Sequence, residues 1–325
     1  MKTPEFWQHN NLTSKLLTPL GELYALATKL RLKLRHPQKV KIPVICIGNL
    51  TAGGTGKTPT AISLALMLQN AGFYPNFISR GYHGKLKATQ VDTARHTPQE
   101  VGDEPLLLAQ IAPTFINADR YQGALMAQNN QAECVLMDDG FQNPSLYKDL
   151  SFLVIDGATG FGNQKCIPAG PLREHIADGV ARAQAALIIG QDCWNLSSVL
   201  PLPCFNGIIE PQKPQLDNNR VVAFAGIGRP QKFYTSLQEL GIEIVKTIDF
   251  PDHHFYQPAE LQNILDLADK MQAQAITTTK DYVKIPPELK PRFKVLDIRI
   301  RWQNPQELQD FITTKLQKNQ GKQEQ

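Results

Sequence analysis

The chain has 325 residues, of which 42% are hydrophobic and 20% charged, a composition typical of a soluble globular protein with room for two domains. Its formal net charge of +4 is too weak to indicate a nucleic-acid partner, and no apolar stretch reaches the ~18 to 20 residues of a membrane-spanning helix. The five cysteines form no CxxC pair, which argues against a disulfide framework or structural zinc site and predicts reduced thiols.

The N-terminal region contains a leucine-rich segment that predicts an amphipathic helix over residues 5–36, because leucines recur there at three- and four-residue steps. Toward its end, residues 29–41 hold six Lys and Arg. Two interpretations are open. The cations form a solvated basic face, or they contact anionic lipid headgroups at a membrane surface while Phe6 and Trp7 enter the boundary region. We predict that residues 1–40 form a separate membrane-associating region.

Short apolar runs alternate with helical patterns from residue 41 onward, which predicts an α/β fold with a mainly parallel sheet covered by helices on both faces. The stretch 195–219 is rich in Pro, Asn and Ser and marks a candidate boundary. A second alternation follows it and ends with a strand predicted at 293–300. These patterns predict a larger domain at 41–205 and a smaller α/β domain at 206–325.

A glycine-rich turn, GGTGKT, follows the first predicted strand and opens a helix, which is the context that a phosphate-binding P-loop requires. Its glycines let backbone N–H groups turn onto phosphate oxygens, and the helix N-terminus adds partial positive charge. Lys57 is predicted to reach the β- and γ-phosphates of ATP, and the Thr58 hydroxyl to ligate Mg²⁺. The larger domain is therefore predicted to be a P-loop NTPase-like kinase domain. The predicted ATP-binding residues are Thr51 (where the general motif has glycine), Gly53, Gly54, Thr55, Gly56, Lys57 and Thr58.

Two carboxylates, Asp138 and Asp139, follow a buried-strand candidate that begins at Cys134. P-loop enzymes hold Mg²⁺ with an aspartate at the carboxyl end of a strand near the P-loop, so we predict that this pair organises the metal. An ordinary turn before Gly140 is the alternative. The sequence does not decide which carboxylate contacts the metal, and Asp138 is the preferred candidate.

The base of the nucleotide is not readable from the sequence. The run Thr279-Lys280-Asp281 is similar to a guanine-reading TKxD motif, but its aspartate lies one position early and Tyr282 occupies the required position. We therefore interpret these residues as a helix cap or a turn.

Nine segments carry a resemblance that spans nearly the whole chain from about residue 40. They are IGNLTAGGTGKTP (47–59), SRGYHG (79–84), VGDEP (101–105), ADR (118–120), MDDGFQ (137–142), PAGPLRE (168–174), FAGIGRPQKF (224–233), FPDHHFY (250–256) and TTTKDYVK (277–284). Together, and in this order, they resemble the tetraacyldisaccharide 4′-kinases of lipid A biosynthesis. Members of that family also carry Ser or Thr where Thr51 stands, so the departure from the general P-loop fits the family.

The resemblance implies transfer of the ATP γ-phosphate, with Mg²⁺, to the 4′-hydroxyl of a tetraacylated glucosamine disaccharide 1-phosphate, which yields lipid IVA. It also implies work at the cytoplasmic face of a Gram-negative inner membrane, where the N-terminal helix meets anionic lipids. A monomer is the default expectation for the oligomeric state.

The resemblance also implies that Asp103 is the base that accepts the proton of the sugar hydroxyl, with His253 rather than His254 as its partner. Taken alone, Asp103 is a candidate helix cap, and His253 a loop histidine. The two residues lie in different predicted domains, so the hypothesis requires the domains to close around the substrate. Lys57, Asp138 and Asp139 complete the predicted catalytic set.

Three arginines in the matched segments, Arg80, Arg120 and Arg173, are expected to contact phosphate groups through bidentate hydrogen bonds. Ordinary surface ion pairs are the alternative for each. Gln142 and Glu174 are further candidates to complete the Mg²⁺ shell with Thr58 and Asp138.

Two other functions compete with the lipid kinase. One is a P-loop enzyme that acts on a soluble substrate, such as a ligase or a small-metabolite kinase, and the basic amphipathic N-terminus argues against it. The other is a nucleotide switch that regulates a partner protein, and the second domain with its PDHH segment argues against that.

Overall fold

The computed structural model describes residues 4–320 and contains two sheets. The strands are β1 (Val44–Gly48), β2 (Pro75–Ser79), β3 (Ala88–Gln90), β4 (Thr114–Asn117), β5 (Cys134–Asp138), β6 (Leu150–Asp156), β7 (Ala185–Ile189), β8 (Cys204–Pro211), β9 (Arg220–Ala225), β10 (Glu243–Asp249), β11 (Gln274–Thr278), β12 (Lys294–Leu296) and β13 (Ile298–Trp302).

Helices connect most of these strands. They are α1 (Leu12–Leu34), α2 (Lys57–Asn70), α3 (Pro98–Val101), α4 (Asp103–Ala109), α5 (Arg120–Asn129), α6 (Ile176–Val180), α7 (Leu196–Val199), α8 (Pro230–Glu239), α9 (Pro258–Lys270), α10 (Thr279–Tyr282) and α11 (Pro305–Gln320), with 3₁₀ turns at Glu5–Trp7 and Lys290–Arg292.

The large sheet has nine strands in the order β13-β8-β7-β6-β1-β5-β2-β4-β3, and only its two edge pairs are antiparallel. Strand β1 lies between β5 and β6, and all five of its residues are buried because helices cover both faces of the sheet. Ile47 of β1 pairs in register with Asp138 of β5. The P-loop that follows β1 and the carboxylates that end β5 therefore meet at one edge of the sheet.

Side chains of β1 alternate between the two cores of this sheet. Ile45 and Ile47 pack with residues of α2 and α11 on one face, and Cys46 packs against residues of α5 on the other. The predicted mainly parallel sheet with helices on both faces is confirmed.

The small sheet has the order β10-β9-β11-β12 and is parallel throughout. Helix α8 packs on one face through Leu237, and α9 packs on the other through Leu261 and Ile264. Phe224 of β9 is fully buried in the α9 core, where it makes edge contacts with Phe250 and two other aromatic rings.

The observed strand pairing does not follow the predicted domain limits. The stretch 195–219, expected to be a boundary, contains β8, which pairs with β7 inside the large sheet. The single strand expected at 293–300 is two strands, β12 in the small sheet and β13 in the large one. Trp302 then donates from Nε1 to the Ser63 hydroxyl (2.9 Å), and α11 is buried in the same hydrophobic core as α2. The end of the predicted 206–325 domain thus belongs to the large sheet, because its apolar residues are buried there.

Helix α1 is shorter than the predicted 5–36 and begins at a cap in which the Asn11 side chain accepts the Ser14 N–H (2.9 Å). It packs on the protein through small residues. A Cβ added at Gly21 would lie 2.7 Å from the Cys166 carbonyl oxygen, so glycine is needed there. Seven of its nine leucines face outward, each 47% to 75% exposed, whereas Leu17 and Leu32 are partly buried. Within residues 4–320, none of the helices combines the length and the hydropathy that crossing a membrane requires.

Candidate active site

The P-loop has the open backbone expected of a phosphate cradle. Gly56 caps α2 in the left-handed region (φ 84°), and Gly53 also has positive φ (120°). A Cβ added at Gly53 or Gly54 would have no neighbour within 4 Å, so this side of the loop is open to a ligand. Lys57 is the first residue of α2, and its side chain is 13% exposed.

Asn49 supports the P-loop through hydrogen bonds from inside the protein, a role that was not predicted from the sequence. It is fully buried, and its Nδ2 donates to the Thr51 carbonyl oxygen (2.6 Å) and the Thr55 hydroxyl (3.1 Å). Thr51 also forms an antiparallel bridge with Leu172, and the Ala52 N–H donates to the Pro171 carbonyl oxygen (2.7 Å). The PAGPLRE segment therefore fixes the backbone of the P-loop. In the sequence, the position of Asn49 in IGNLT was the signal for its structural role.

The two carboxylates after β5 have different partners. The Thr58 hydroxyl donates to Asp138 Oδ2 (3.2 Å), while Asp138 Oδ1 is buried with no hydrogen-bond partner among residues 4–320. Asp139 adopts a left-handed backbone conformation (φ 49°) and lies 3.7 Å from the Lys57 ammonium and 3.0 Å from Arg173 Nη1. The structure thus pairs Asp138 with the hydroxyl, and Asp139 with the cations.

Electrostatics separate these two groups further. Burial, with the charges of Glu104 and Asp139, raises the pKa of Asp138 above its usual range. Burial also acts to raise the pKa of Asp139, but the charges of Lys57 and Arg173 outweigh it, and that pKa is lowered. Asp138 is therefore the carboxylate that has most to gain from a nearby cation.

Asp103 and His253 meet across the two sheets. His253 Nδ1 lies 3.0 and 3.1 Å from the two Asp103 carboxylate oxygens. Asp103 is the first residue of α4 and only 4% exposed; Gly102 precedes it with φ 92°, where a Cβ would lie 2.7 Å from the Tyr82 carbonyl oxygen. Burial acts to raise the pKa of Asp103, but the His253 hydrogen bond and the Lys280 charge lower it to about 2.

The histidine itself is held in an unusual conformation. His253 has φ 61°, which non-glycine residues rarely adopt, and its N–H donates to the Gly226 carbonyl oxygen (3.2 Å). The neighbouring His254 turns away: its Nε2 lies 2.9 Å from Glu260 Oε2, and its ring stacks on Phe250. The structure brings His253, and not His254, to Asp103.

The three predicted arginines have different surroundings. Arg120 is 5% exposed, and its Nε has no hydrogen-bond partner in the described part of the chain. Burial and the charge of Arg80 lower the pKa of Arg120 to about 10. Arg80 is exposed, and Arg173 contacts Asp139. A buried guanidinium with an unsatisfied donor suits an incoming anion.

Gln142 and Glu174, predicted to ligate Mg²⁺, both contact other groups of the protein. The Glu174 carboxylate is 2% exposed and lies 2.7 Å from Arg182 Nη1. Gln142 Nε2 donates to Glu174 Oε1 (3.0 Å) and to the Asn49 carbonyl oxygen (2.8 Å). These contacts link the PAGPLRE segment to the base of the P-loop.

Three further side chains surround the Asp103–His253 pair, although the sequence reading gave them no role. The rings of Tyr82 and His83 lie 6.0 and 5.4 Å from the His253 ring, measured between centroids. Lys280 Nζ lies 3.3 Å from His253 Nε2. The predicted cap exists as well, because the Asp281 N–H donates to the Thr278 hydroxyl (3.1 Å). The signal for Tyr82 and Lys280 was their place in the matched segments.

Comparison with known proteins decides the family. A family model described as LpxK, tetraacyldisaccharide-1-P 4′-kinase, matches residues 13–317. The chain belongs to the tetraacyldisaccharide-1-P 4′-kinase family. The predicted family, fold class and ATP-dependent kinase activity are thereby confirmed.

Relatives and a solved structure of this kinase family match over nearly their full lengths. The chain is 45% identical to the tetraacyldisaccharide 4′-kinase of Rhodospirillum rubrum, over 94% of this chain and 95% of that one. It is 46% identical to that of Rhodospirillum centenum, over 96% of each. The crystal structure of LpxK from Aquifex aeolicus in complex with ATP superposes with a TM-score of 0.79 at 27% identity, covering 94% of this chain and 100% of that chain.

Proposed function

We propose that this kinase transfers the γ-phosphate of ATP to the 4′-hydroxyl of a tetraacyldisaccharide 1-phosphate, with Asp103 as the base. The observation that carries the proposal is the contact between Asp103 and His253, which joins the large sheet that bears the P-loop to the small sheet. Glu104, adjacent to Asp103, is near enough to influence the pKa of Asp138. The base and the phosphate site therefore belong to one region of the molecule.

The chemistry divides among these residues. Asp103 accepts the proton of the sugar hydroxyl as its oxygen attacks the γ-phosphorus, and the His253 ring orients the carboxylate. Lys57 and Arg120 are proposed to neutralise charge on the transferring phosphate, with Arg80 at the mouth of the site and Arg173 holding Asp139 in place.

A magnesium ion fits the pair formed by Thr58 and Asp138. The unsatisfied, buried Oδ1 of Asp138 lies beside a hydroxyl at the start of α2, and such oxygen donors suit Mg²⁺. When bound, the ion would supply positive charge to the β- and γ-phosphates. Gln142 and Glu174 remain candidates, but their contacts with Asn49 and Arg182 favour a supporting role.

The outward leucines of α1 support a membrane-facing surface. They form the largest run of exposed apolar side chains in the described chain, and burying each one is favourable by about 1.5 to 3 kcal/mol.

The basic residues at the end of α1 fall into two groups. Lys29 and Arg31 bind Asp178 (2.8 Å) and the Gln142 carbonyl oxygen (3.3 Å), whereas Lys33 and Arg35 are exposed toward solvent. We propose that this helix lies on the cytoplasmic face of the inner membrane, where Lys33 and Arg35 meet anionic headgroups.

Replacing Leu16, Leu23 and Leu30 by glutamine is expected to weaken binding to anionic vesicles by at least about tenfold per leucine, since each loses about 1.5 kcal/mol or more of burial. All three are exposed, so thermal stability should hold. Cosedimentation with vesicles measures the effect, and Val199→Gln on α7, 64% exposed, is the matched control. Equal sedimentation of the triple variant and the parent would refute the membrane-facing surface.

The proposed reaction is tested with [γ-³²P]ATP, the lipid disaccharide 1-phosphate and detergent. We expect a labelled bisphosphorylated lipid whose formation requires Mg²⁺. Label in a soluble acceptor, or hydrolysis of ATP without transfer to lipid, would favour one of the two competing functions instead.

A further inference from the structure

The 3₁₀ turn that precedes α1 is attached to a distant stretch of the chain, which we call the support segment (residues 162–173). Trp7 Nε1 donates to the Pro168 carbonyl oxygen (3.1 Å), and the Trp7 carbonyl oxygen accepts the Asn163 N–H (2.8 Å). The two backbones approach so closely that a Cβ added at Gly162 would lie 2.7 Å from the same oxygen. The N-terminal turn is therefore held by specific contacts and not only by its connection to α1.

Asn163 extends this contact through its side chain. One Nδ2 proton is donated to the Phe6 carbonyl oxygen (3.1 Å) and the other to the Ala169 carbonyl oxygen (2.9 Å), while Oδ1 accepts the Lys165 N–H (3.1 Å). The residue is only 6% exposed, so water is a poor substitute for its amide. Removing the amide leaves buried carbonyl oxygens without their donors, which is costly. Asn163 thus fixes the N-terminal turn and the support segment to each other.

The support segment in turn fixes the start of the P-loop. The Leu172 N–H donates to the Lys165 carbonyl oxygen (3.0 Å), which closes the segment on itself. The Arg173 N–H then donates to the Leu50 carbonyl oxygen (2.7 Å), next to the Ala52 contact described above. The backbone that leads into the phosphate-binding turn is therefore held by the same segment that the N-terminal turn contacts.

We propose that Asn163 is a positioning residue for ATP: through its side chain the N-terminal turn fixes the support segment, which sets the P-loop backbone before the nucleotide arrives. A loop that is already ordered binds its ligand more tightly, because binding does not have to order it. Asn163 acts through the P-loop backbone and not on the reacting atoms, so its loss should change nucleotide binding and leave kcat nearly unchanged. The proposal needs only that the P-loop binds ATP, and it is independent of the phosphate acceptor and of the base.

A second contact limits the size of the effect. Helix α1 also holds the support segment, because Lys165 Nζ donates to the Thr18 hydroxyl (2.8 Å) and lies 3.4 Å from the Ser14 carbonyl oxygen. Loss of the Asn163 amide should therefore loosen the P-loop without releasing it.

Nucleotide affinity is measured by titrating the full-length protein with a fluorescent ATP analogue and Mg²⁺ in the absence of lipid. Asn163→Ala is expected to raise the Kd by about 5- to 20-fold and the KM for ATP by a similar factor, with kcat within about twofold of the parent. Trp7→Phe, which removes only the indole donor to Pro168, should raise the Kd by about 2- to 3-fold and tests the same contact if Asn163→Ala does not fold. A parental Kd in the folded variants would overturn the proposal.

The matched control is Asn76→Ala. Asn76 is also a fully buried amide, its Nδ2 donates to the Ala127 carbonyl oxygen (3.5 Å), and it lies on β2 between β4 and β5. Its loss should lower stability without changing the Kd. A rise in Kd as large as that in Asn163→Ala would show that general destabilisation is the cause and would contradict the inference.

Hydrogen exchange of the ligand-free protein tests the P-loop directly. A peptide that covers residues 47–56 should exchange faster in Asn163→Ala than in the parent, and at the parental rate in Asn76→Ala. A raised Kd with unchanged exchange in this peptide would contradict positioning of the P-loop. Because no lipid is present, loss of membrane binding cannot produce these results. Phosphate transfer to another acceptor would overturn the proposed function and leave the titration as expected, so the two proposals fail separately.

Discussion

Asp103→Asn is expected to lower kcat by about 10²- to 10⁴-fold, the usual loss when a general base is removed, with little change in the KM for ATP. The variant keeps an oxygen that can accept the Glu104 N–H, a hydrogen bond that Asp103 makes now (3.0 Å). The amide can neither take the sugar proton nor attract the Lys280 ammonium as the carboxylate does. Steady-state kinetics with lipid and ATP varied independently separate kcat from KM.

A matched control is Asp269→Asn, which removes the same charge from an exposed carboxylate of α9. It should have parental kinetics. His253→Gln should lose less than Asp103→Asn, because the carboxylate remains and only its orientation is disturbed. Parental kcat for Asp103→Asn would exclude Asp103 from the chemistry, and a loss seen only in the KM for ATP would assign it to nucleotide binding instead.

Asp138→Asn is expected to separate activity from stability. Activity should fall by about 10²- to 10³-fold, the scale on which one transition-state electrostatic contact is lost, because the proposed metal loses its buried carboxylate. Stability of the ligand-free protein should rise by about 0.5 to 2 kcal/mol. The physical reason is that Asp138 is buried, has one unsatisfied oxygen, and is forced to ionise near Asp139 and Glu104.

The pH dependence follows from the sign of the shift. The folded-state pKa of Asp138 is raised above its ordinary value of 3.8, so its ionisation destabilises the fold increasingly as the pH rises above that value. The difference in free energy of unfolding between Asp138→Asn and the parent should therefore grow with pH. Urea unfolding at pH 5 and pH 8, without nucleotide or metal, measures it. A variant less stable than the parent at pH 8 would contradict this account.

Addition of Mg²⁺ and ATP should reverse the order of stability. Ligands that bind the folded state raise its stability by mass action, so the parent should gain in a thermal melt and Asp138→Asn should gain much less. Asp139→Asn is the informative comparison, because its carboxylate contacts Lys57 and Arg173 rather than Thr58. Loss of the Mg²⁺ effect in Asp139→Asn alone would assign the metal to Asp139.

Local motifs explain what could be predicted. Residues 53–58 form a glycine-rich turn between a strand and a helix, so the requirement for glycine and the position of Lys57 are visible in a short window of sequence. The alternation of apolar runs and helical patterns predicted the parallel sheet for the same reason, since the hydrophobic period of each segment can be recognised from that segment alone. The limits of the domains were less accessible. Strands β12 and β13 are separated by one residue, and only pairing assigns them to different sheets.

Contiguous motifs in the sequence thus determined the P-loop kinase fold and the candidate Asp138. The candidates Asp103 and His253 came from the family resemblance that these motifs carry in their order. Tertiary structure decided which groups meet. Asp103 and His253 are 150 residues apart, and no local pattern indicates that Lys280 lies against both of them. Nor does periodicity show that most leucines of α1 face outward. The buried side of a helix is the side that packs against neighbouring segments, and in α1 that side consists of Gly21 and other small residues. Contacts between distant segments depend on how the whole chain packs, and local sequence patterns do not specify that packing.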